Sequence, residues 1–165
     1  MRGATPAWQD GAVSVERESD RLVAWGAELR AVHARLRAAL AVVRDADGSD
    51  AVAARDLFLV CHGFCVALTE HHEGEDRQLF PAIAAAHPEL GDTLARLQQD
   101  HAMIATLISD LAAAAPDGER GSISQHLDGI AAIMESHFAY EERELLRVLD
   151  TLVLDAQSNQ VLGTL

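Results

Sequence analysis

The sequence contains no lysine, few aromatic residues and no long apolar run. All 13 basic side chains are arginines, and 26 acidic residues give the chain a formal net charge of −13. Such a surplus of negative charge repels phosphate backbones, so we expect no nucleic-acid partner. No stretch reaches the roughly 20 apolar residues that cross a bilayer, and the N-terminus lacks the apolar core of a signal peptide. We therefore expect a cytoplasmic protein without a membrane partner.

The rest of the composition favours helices packed in one domain. Hydrophobic residues make up 49% of the chain and aromatics only 4%, so aliphatic side chains dominate the predicted core. Alanine, a strong helix former, is abundant. Cys61 and Cys65 lie four residues apart in a predicted helix. This is not the CxxC spacing of redox pairs, and we interpret both as small buried side chains.

Apolar residues at helical spacing predict four helices separated by turn signals. The predicted helices cover residues 19–46, a second segment that ends near residue 85 with a bend at Pro81, residues 88–115, and residues 122–150. Ser122 and Gln125 suggest a capping box at the start of the fourth helix. We predict an all-α, up-down-up-down four-helix bundle over residues 19–152. Residues 1–18, with Trp8, are expected to form an arm, and residues 153–165 a frayed or loosely docked tail.

Polar residues interrupt the apolar faces of all four predicted helices. Histidines and acids occur there at similar heights, about midway along each helix, so they should converge in the core. The residues are His33 on the first helix, His71 and Glu75 on the second, His101 on the third, and His137 and Glu141 on the fourth.

This set of residues favours a metal site. Two carboxylates buried in a bundle without lysine would each carry a desolvation cost of several kcal/mol unless a cation lay between them. A lone histidine such as His33 or His101 could instead be a core residue bonded to a carbonyl or a water. The two HxxxE pairs, His71 with Glu75 and His137 with Glu141, favour two adjacent iron, manganese or zinc ions with carboxylate bridges.

The residues resemble the hemerythrin-like, or HHE cation-binding, domains. The resemblance rests on "HARLRAAL", "HHEGEDRQLFPAI", "DHAMIATLI" and "HFAYEERELLRVL", and covers about residues 20–150. It implies an oxo- or hydroxo-bridged di-iron centre with Glu75 and Glu141 as bridging ligands. The full ligand set that it implies is His33, His71, Glu75, His101, His137 and Glu141. Ferritin-like bundles are the nearest rival, but their ExxH signature does not occur in this chain.

The resemblance is imperfect at two ligand positions. Oxygen-carrying hemerythrins place two histidines four residues apart on the third helix, whereas here Ala105 follows His101 at that spacing. Their fourth-helix acid also lies five residues after its histidine, which would select Glu142 over Glu141. One iron therefore lacks a histidine or takes a replacement. The candidates for that replacement are His72, His62, Tyr140 and Glu142.

Three functions fit such a centre. The first is a non-haem di-iron protein that reacts with O2, peroxide or nitric oxide as a sensor, scavenger or small oxidase. The alternative is a reversible O2 carrier, or an iron-binding or storage module without turnover. The third is a purely structural metal such as zinc. Because Ala105 replaces a carrier's histidine, we expect reaction with O2 or peroxide instead of reversible storage.

Overall fold

The computed structural model describes residues 24–47, 54–114 and 120–164. Long helical segments carry most of these residues. In chain order the elements are α1 (Ala24–Asp47), α2 (Ala54–Gly74), a π-helical turn (Glu75–Leu79), α3 (Phe80–Ala86), a 3-10 turn (Pro88–Leu90), α4 (Gly91–Ala114), α5 (Arg120–Leu149) and α6 (Ser158–Leu162). The described ranges contain no β-strand, which confirms the predicted all-α class.

The long helices form a four-helix bundle around one core. α1 packs against α2 and α5, while α4 packs against α5 and α2, so each helix has two neighbours. Apolar residues one heptad apart fill the interior; Leu29, Leu36 and Val43 of α1 are completely buried. This is the predicted bundle, and its core follows the predicted apolar period. No helix in the described part of the chain has the length and apolarity to span a bilayer.

The beginning of α5 differs from the prediction. The helix already includes Arg120, two residues before Ser122. An N-cap residue needs a non-helical backbone, so Ser122 cannot cap this helix and the predicted capping box is wrong. Residues 19–23 of the predicted first helix, and the predicted arm with Trp8, lie outside the described residues.

The second helical segment widens where it carries the site. The π-helical turn begins at Glu75 and ends at Leu79, and both side chains are buried. Pro81 follows within α3 and lacks the backbone N–H that would bond to the carbonyl of residue 77 in an α-helix. The wider turn carries the chain past this proline, at the place where the sequence predicts a bend. Such π turns are frequent at functional sites.

The C-terminal residues pack on the bundle, so the prediction of a frayed or loosely docked tail is wrong. After α5 the chain returns, and α6 lies against α1, α2 and the π-helical turn. Val161 and Leu162 are 0% and 1% exposed. The side-chain amide of Gln78 donates to the carbonyl oxygen of Gln160 at 3.0 Å. A Cβ on Gly74 would overlap the carbonyl oxygen of Val161, so glycine permits this close approach.

Candidate metal centre

All six predicted ligands lie in the bundle core, and His72 joins them. None of the seven side chains is more than 5% exposed. α1 contributes His33, α2 contributes His71 and His72, the π-helical turn contributes Glu75, α4 contributes His101, and α5 contributes His137 and Glu141. These residues lie at similar heights along the bundle, and their side chains therefore meet in its core.

The seven side chains form two adjoining groups that could each hold a metal ion. The four-residue group consists of His33, His71, Glu75 and Glu141, and the trihistidine group consists of His72, His101 and His137. Within each group, one potential ligand atom per residue lies within 4.8 Å of all the others. The two HxxxE elements of the sequence predict two adjacent metal-binding groups.

The two glutamates link the groups. One oxygen of Glu75 lies 3.5 Å from Nε2 of His71, and its other oxygen lies 3.5 Å from Nε2 of His101. Oε2 of Glu141 lies 3.3 Å from Nε2 of His33 and 3.7 Å from Nε2 of His137. Each carboxylate therefore faces one imidazole of each group, which is the geometry that a bridging carboxylate requires.

Hydrogen bonds on the outer side of the imidazoles fix which nitrogen faces inward. Nδ1 of His33 donates to Oε1 of Glu142 at 2.8 Å, and Nδ1 of His101 donates to Oδ1 of Asp76 at 3.0 Å. Nδ1 of His71 donates to the carbonyl oxygen of Leu162 at 3.2 Å. Because these oxygens only accept, the proton lies on Nδ1, and the neutral ring presents the lone pair of Nε2 to the centre.

Two imidazole nitrogens of the trihistidine group face each other at hydrogen-bond distance. Nε2 of His101 and Nε2 of His137 are 3.1 Å apart. Nδ1 of His137 lies 3.5 Å from Oδ2 of Asp100, so both rings turn their Nδ1 toward a carboxylate. One neutral ring can donate to the other here, whereas a cation at this place would accept the lone pairs of both Nε2 atoms.

Several buried atoms of the four-residue group and of His72 have no hydrogen-bond partner within the described structure. They are Nε2 of His33, of His71 and of His72, and all four carboxylate oxygens of Glu75 and Glu141. An unpaired buried polar atom costs about 1–3 kcal/mol, so a concentration of them in one place is unfavourable without a ligand. Imidazole nitrogen and carboxylate oxygen are the donors that iron, manganese and zinc accept. The residues therefore fit a pair of such ions.

The pKa values of the histidines favour the neutral, metal-binding form. Burial, reinforced by the neighbouring His33, lowers the pKa of His71 to about 3. Burial likewise holds the pKa of His72 well below its usual range and lowers that of His137. These imidazoles are neutral at pH 7, so a metal ion does not have to displace a proton from them.

The two glutamates have opposite pKa shifts. Burial and then the negative charge of Glu141 raise the pKa of Glu75 well above its usual value. Burial also acts to raise the pKa of Glu141, but the adjacent imidazole of His33, followed by those of His137 and His71, stabilises its negative charge and lowers that pKa to about 2. The ionised carboxylate of Glu141 therefore disfavours ionisation of Glu75, whereas a cation between them would stabilise both negative charges.

The structure distinguishes among the candidates for the replacement ligand. His72 is in the trihistidine group, where its ring stacks on that of His101 at 4.1 Å. Glu142 points away from the centre and binds His33 and Arg37 instead. Tyr140 lies between the guanidinium groups of Arg96 and Arg143, and His62 is exposed. Of the two acids on α5, Glu141 and not Glu142 faces the centre.

These features define a four-helix protein with a buried cluster of histidines and carboxylates that is suited to binding cations. The chain belongs to the hemerythrin HHE cation-binding domain family, whose family model matches residues 27–149. This confirms the resemblance seen in the sequence. No match was found among the curated proteins or among the solved structures.

Proposed function

We propose that the protein holds two iron ions and reacts with O2, peroxide or nitric oxide. The observation that carries the proposal is the pair of ligand groups joined by Glu75, whose two oxygens each lie 3.5 Å from an imidazole of a different group. Two iron ions held in this way would supply the two electrons that convert O2 to peroxide or peroxide to water. A cytoplasmic location stays a prediction.

In this proposal the ligands are the six predicted residues together with His72. His33 and His71 would hold one ion, and His72, His101 and His137 would hold the other. Glu75 and Glu141 would be shared between the two. The outer hydrogen bonds to Glu142, Asp76 and Leu162 hold the imidazoles in orientation and keep Nε2 directed inward.

Access of water supports reaction over reversible storage. Reversible binding of O2 requires that solvent be kept from the bound molecule, since solvent protons promote its loss as hydrogen peroxide and leave the metal oxidised. A cavity beside Ala105 reaches His72 and His101 of the trihistidine group, so solvent protons have a short path to the centre. A reversible O2 carrier is the second candidate. It is favoured by His72, which restores the nitrogen ligand that is missing at residue 105.

Iron content and oxygen chemistry test the proposal. We expect about two irons per chain in protein matured with iron, and an optical spectrum of bridged ferric iron. Anaerobically reduced protein mixed with O2 should pass irreversibly to the ferric form. An absorption band that disappears on removal of O2 and returns over many cycles would favour the carrier, and a colourless protein with zinc would contradict both.

The role of His72 has its own test. His72→Ala should lower the metal content from about two ions per chain to about one, or weaken one site by roughly 10- to 100-fold, because a ligand is lost. His62→Ala is the matched control, because His62 lies on the same helix but is exposed. Elemental analysis after dialysis measures the difference. Equal metal content in the two variants would remove His72 from the ligand set.

A further inference from the structure

The two ligand groups differ in how they are covered. The four-residue group is sealed on its outer side, where Phe138 stacks on His33 at 3.8 Å and the carbonyl oxygen of Leu162 accepts from His71. The side chains of His33, Glu75 and Glu141 are completely buried. The trihistidine group instead borders a cavity between α2 and α4.

This α2–α4 cavity has a volume of about 200 Å³. That is several times the roughly 30 Å³ that one water molecule occupies in the liquid. His72 and His101 lie at its inner end, and Ala102 and Ala105 form part of the α4 side. The short alanine side chains leave this space open, and a larger residue at position 105 would project into it.

The charged residues of the cavity lining are acidic. Glu73 and Asp76 both line it, and no arginine does so among the described residues. Arg77, one turn along from Glu73, is paired with Glu73 at 2.8 Å, so these two charges largely compensate each other and Asp76 supplies the remaining charge of the lining. With a net charge of −13 on the whole chain, the potential at the entrance is negative. Such a potential lowers the local concentration of anions and leaves neutral molecules unaffected.

We propose that small neutral ligands, with hydrogen peroxide as the representative, enter through the α2–α4 cavity and approach the centre from the side of the trihistidine group. The polar side chains of Thr69 and Gln98 supply hydrogen-bonding partners on the way. A reduced di-iron centre would supply the two electrons and solvent the two protons that break the O–O bond of one H2O2 and convert it to two waters. This inference rests on the proposed di-iron function.

Filling the cavity tests the route. Ala105→Leu places a larger side chain in the cavity, and Ala112→Leu makes the same change at an exposed position of α4 that does not line it. Iron per chain and the optical spectrum are measured first, and then the rate at which the anaerobically reduced protein is oxidised by H2O2. We expect Ala105→Leu to retain its iron and react at least tenfold more slowly, and Ala112→Leu to stay within twofold of the wild type.

The iron measurement distinguishes failure of the route from failure of the proposed function. A wild-type protein that takes up no iron, or does not react with H2O2, would contradict the proposed function itself. An iron-loaded Ala105→Leu protein that reacts at the wild-type rate would overturn only the route.

Charge selectivity is tested with azide, an anion, on the oxidised protein. Glu73→Gln should increase the rate of azide binding at least threefold, and the gain should shrink at high salt. Asp110→Asn removes the same charge from an exposed position of α4 outside the cavity and should change the rate less than twofold. Equal effects of the two variants would show that entry does not pass the acidic lining.

A labelling experiment needs no metal. In the metal-free protein, Ala105→Cys should react faster with neutral methyl methanethiosulfonate than with its anionic sulfonatoethyl analogue. The ratio of the two rates should exceed that of Ala112→Cys by at least threefold. The native Cys65 contributes a slow background, because burial raises the pKa of its thiol to about 11. A ratio at position 105 equal to or below that at position 112 would overturn the selectivity.

Discussion

Replacing Glu75 with glutamine should stabilise the metal-free protein and destabilise the metal-loaded one. Without a cation, Glu75 either carries a charge in the core or takes up a proton that the unfolded chain has lost. Both are unfavourable, because burial and Glu141 raise its pKa. With metal bound, the same carboxylate becomes a favourable ligand, so the sign of the mutational effect should reverse.

The size of the effect has a ceiling at pH 7. A buried carboxyl that stays protonated costs about 1.4 kcal/mol for each pH unit above its unfolded pKa of 4.5, which gives about 3.4 kcal/mol. The glutamine amide can donate to Nε2 of His71 or His101, which partly satisfies its own polar group. We therefore expect Glu75→Gln to raise the stability of the metal-free protein by about 1–3 kcal/mol, or roughly 2–12 °C in Tm.

Thermal unfolding followed by circular dichroism, with and without iron, provides the assay. Wild-type protein should gain about 3 kcal/mol or more from metal at a hundredfold excess over Kd, and the variant should lose most of that gain. Glu73→Gln is the control, since Glu73 lies two residues away on an exposed surface and forms only a surface ion pair with Arg77. If Glu75→Gln lowered the Tm of the metal-free protein more than Glu73→Gln does, the reasoning about an unfavourable buried carboxylate would be wrong.

Two further predictions concern the packing of α6 and the pH dependence of the metal-free form. Gly74→Ala should lower the free energy of unfolding by about 1–3 kcal/mol, because its Cβ would overlap the carbonyl oxygen of Val161. Gly63→Ala is the control: its Cβ meets open space, so it should raise the free energy of unfolding by about 0.5–1 kcal/mol. Equal changes of the two variants in urea unfolding would contradict the close approach of α6. Metal-free protein should lose stability as pH falls from 7 to 5. Three buried histidines have a pKa in the folded protein below their unfolded value of 6.5. Below pH 6.5 the unfolded chain therefore binds protons that the folded protein does not, and the free energy of unfolding decreases. These histidines are His71, His72 and His137. The raised pKa of Glu75 acts in the opposite direction with one proton against three, so a Tm that stayed level or rose on acidification would refute the prediction.

The helices and the inward direction of the ligands could be predicted because both follow from periodicity. Leu29 and Leu36 mark the buried face of α1, and His33 lies between them on that face. The same holds for His137, which follows Ile130 and Met134 on α5. Counting residues from the helix ends then gave each ligand's height well enough to bring the side chains to one level.

The C-terminal helix could not be predicted in this way. α6 has five residues, which is too short to show a helical period, and its position depends on contacts distant in sequence. The sequence does contain one indirect signal. Gly74 lies between the predicted ligands His71 and Glu75, where glycine costs about 1 kcal/mol relative to alanine in a helix. A glycine there indicates a close approach by another segment, but only the three-dimensional structure identifies that segment as α6.

The assignment of His72 shows what a single-face reading of a helix leaves out. The apolar stripe of the second predicted helix passes through both His71 and His72, but adjacent helical residues differ in direction by about 100°, so the stripe alone does not tell which neighbouring helix each one faces. A helix in a bundle has two neighbours, however, and the centre lies between them. His71 therefore faces the α1 side, where its ring lies 5.2 Å from that of His33, and His72 faces the α4 side, where it stacks on His101. Because α2 supplies one histidine to each group, the short side chain at Ala105 does not leave the trihistidine group without a third imidazole, and the space that Ala105 leaves lies beside the centre as a cavity.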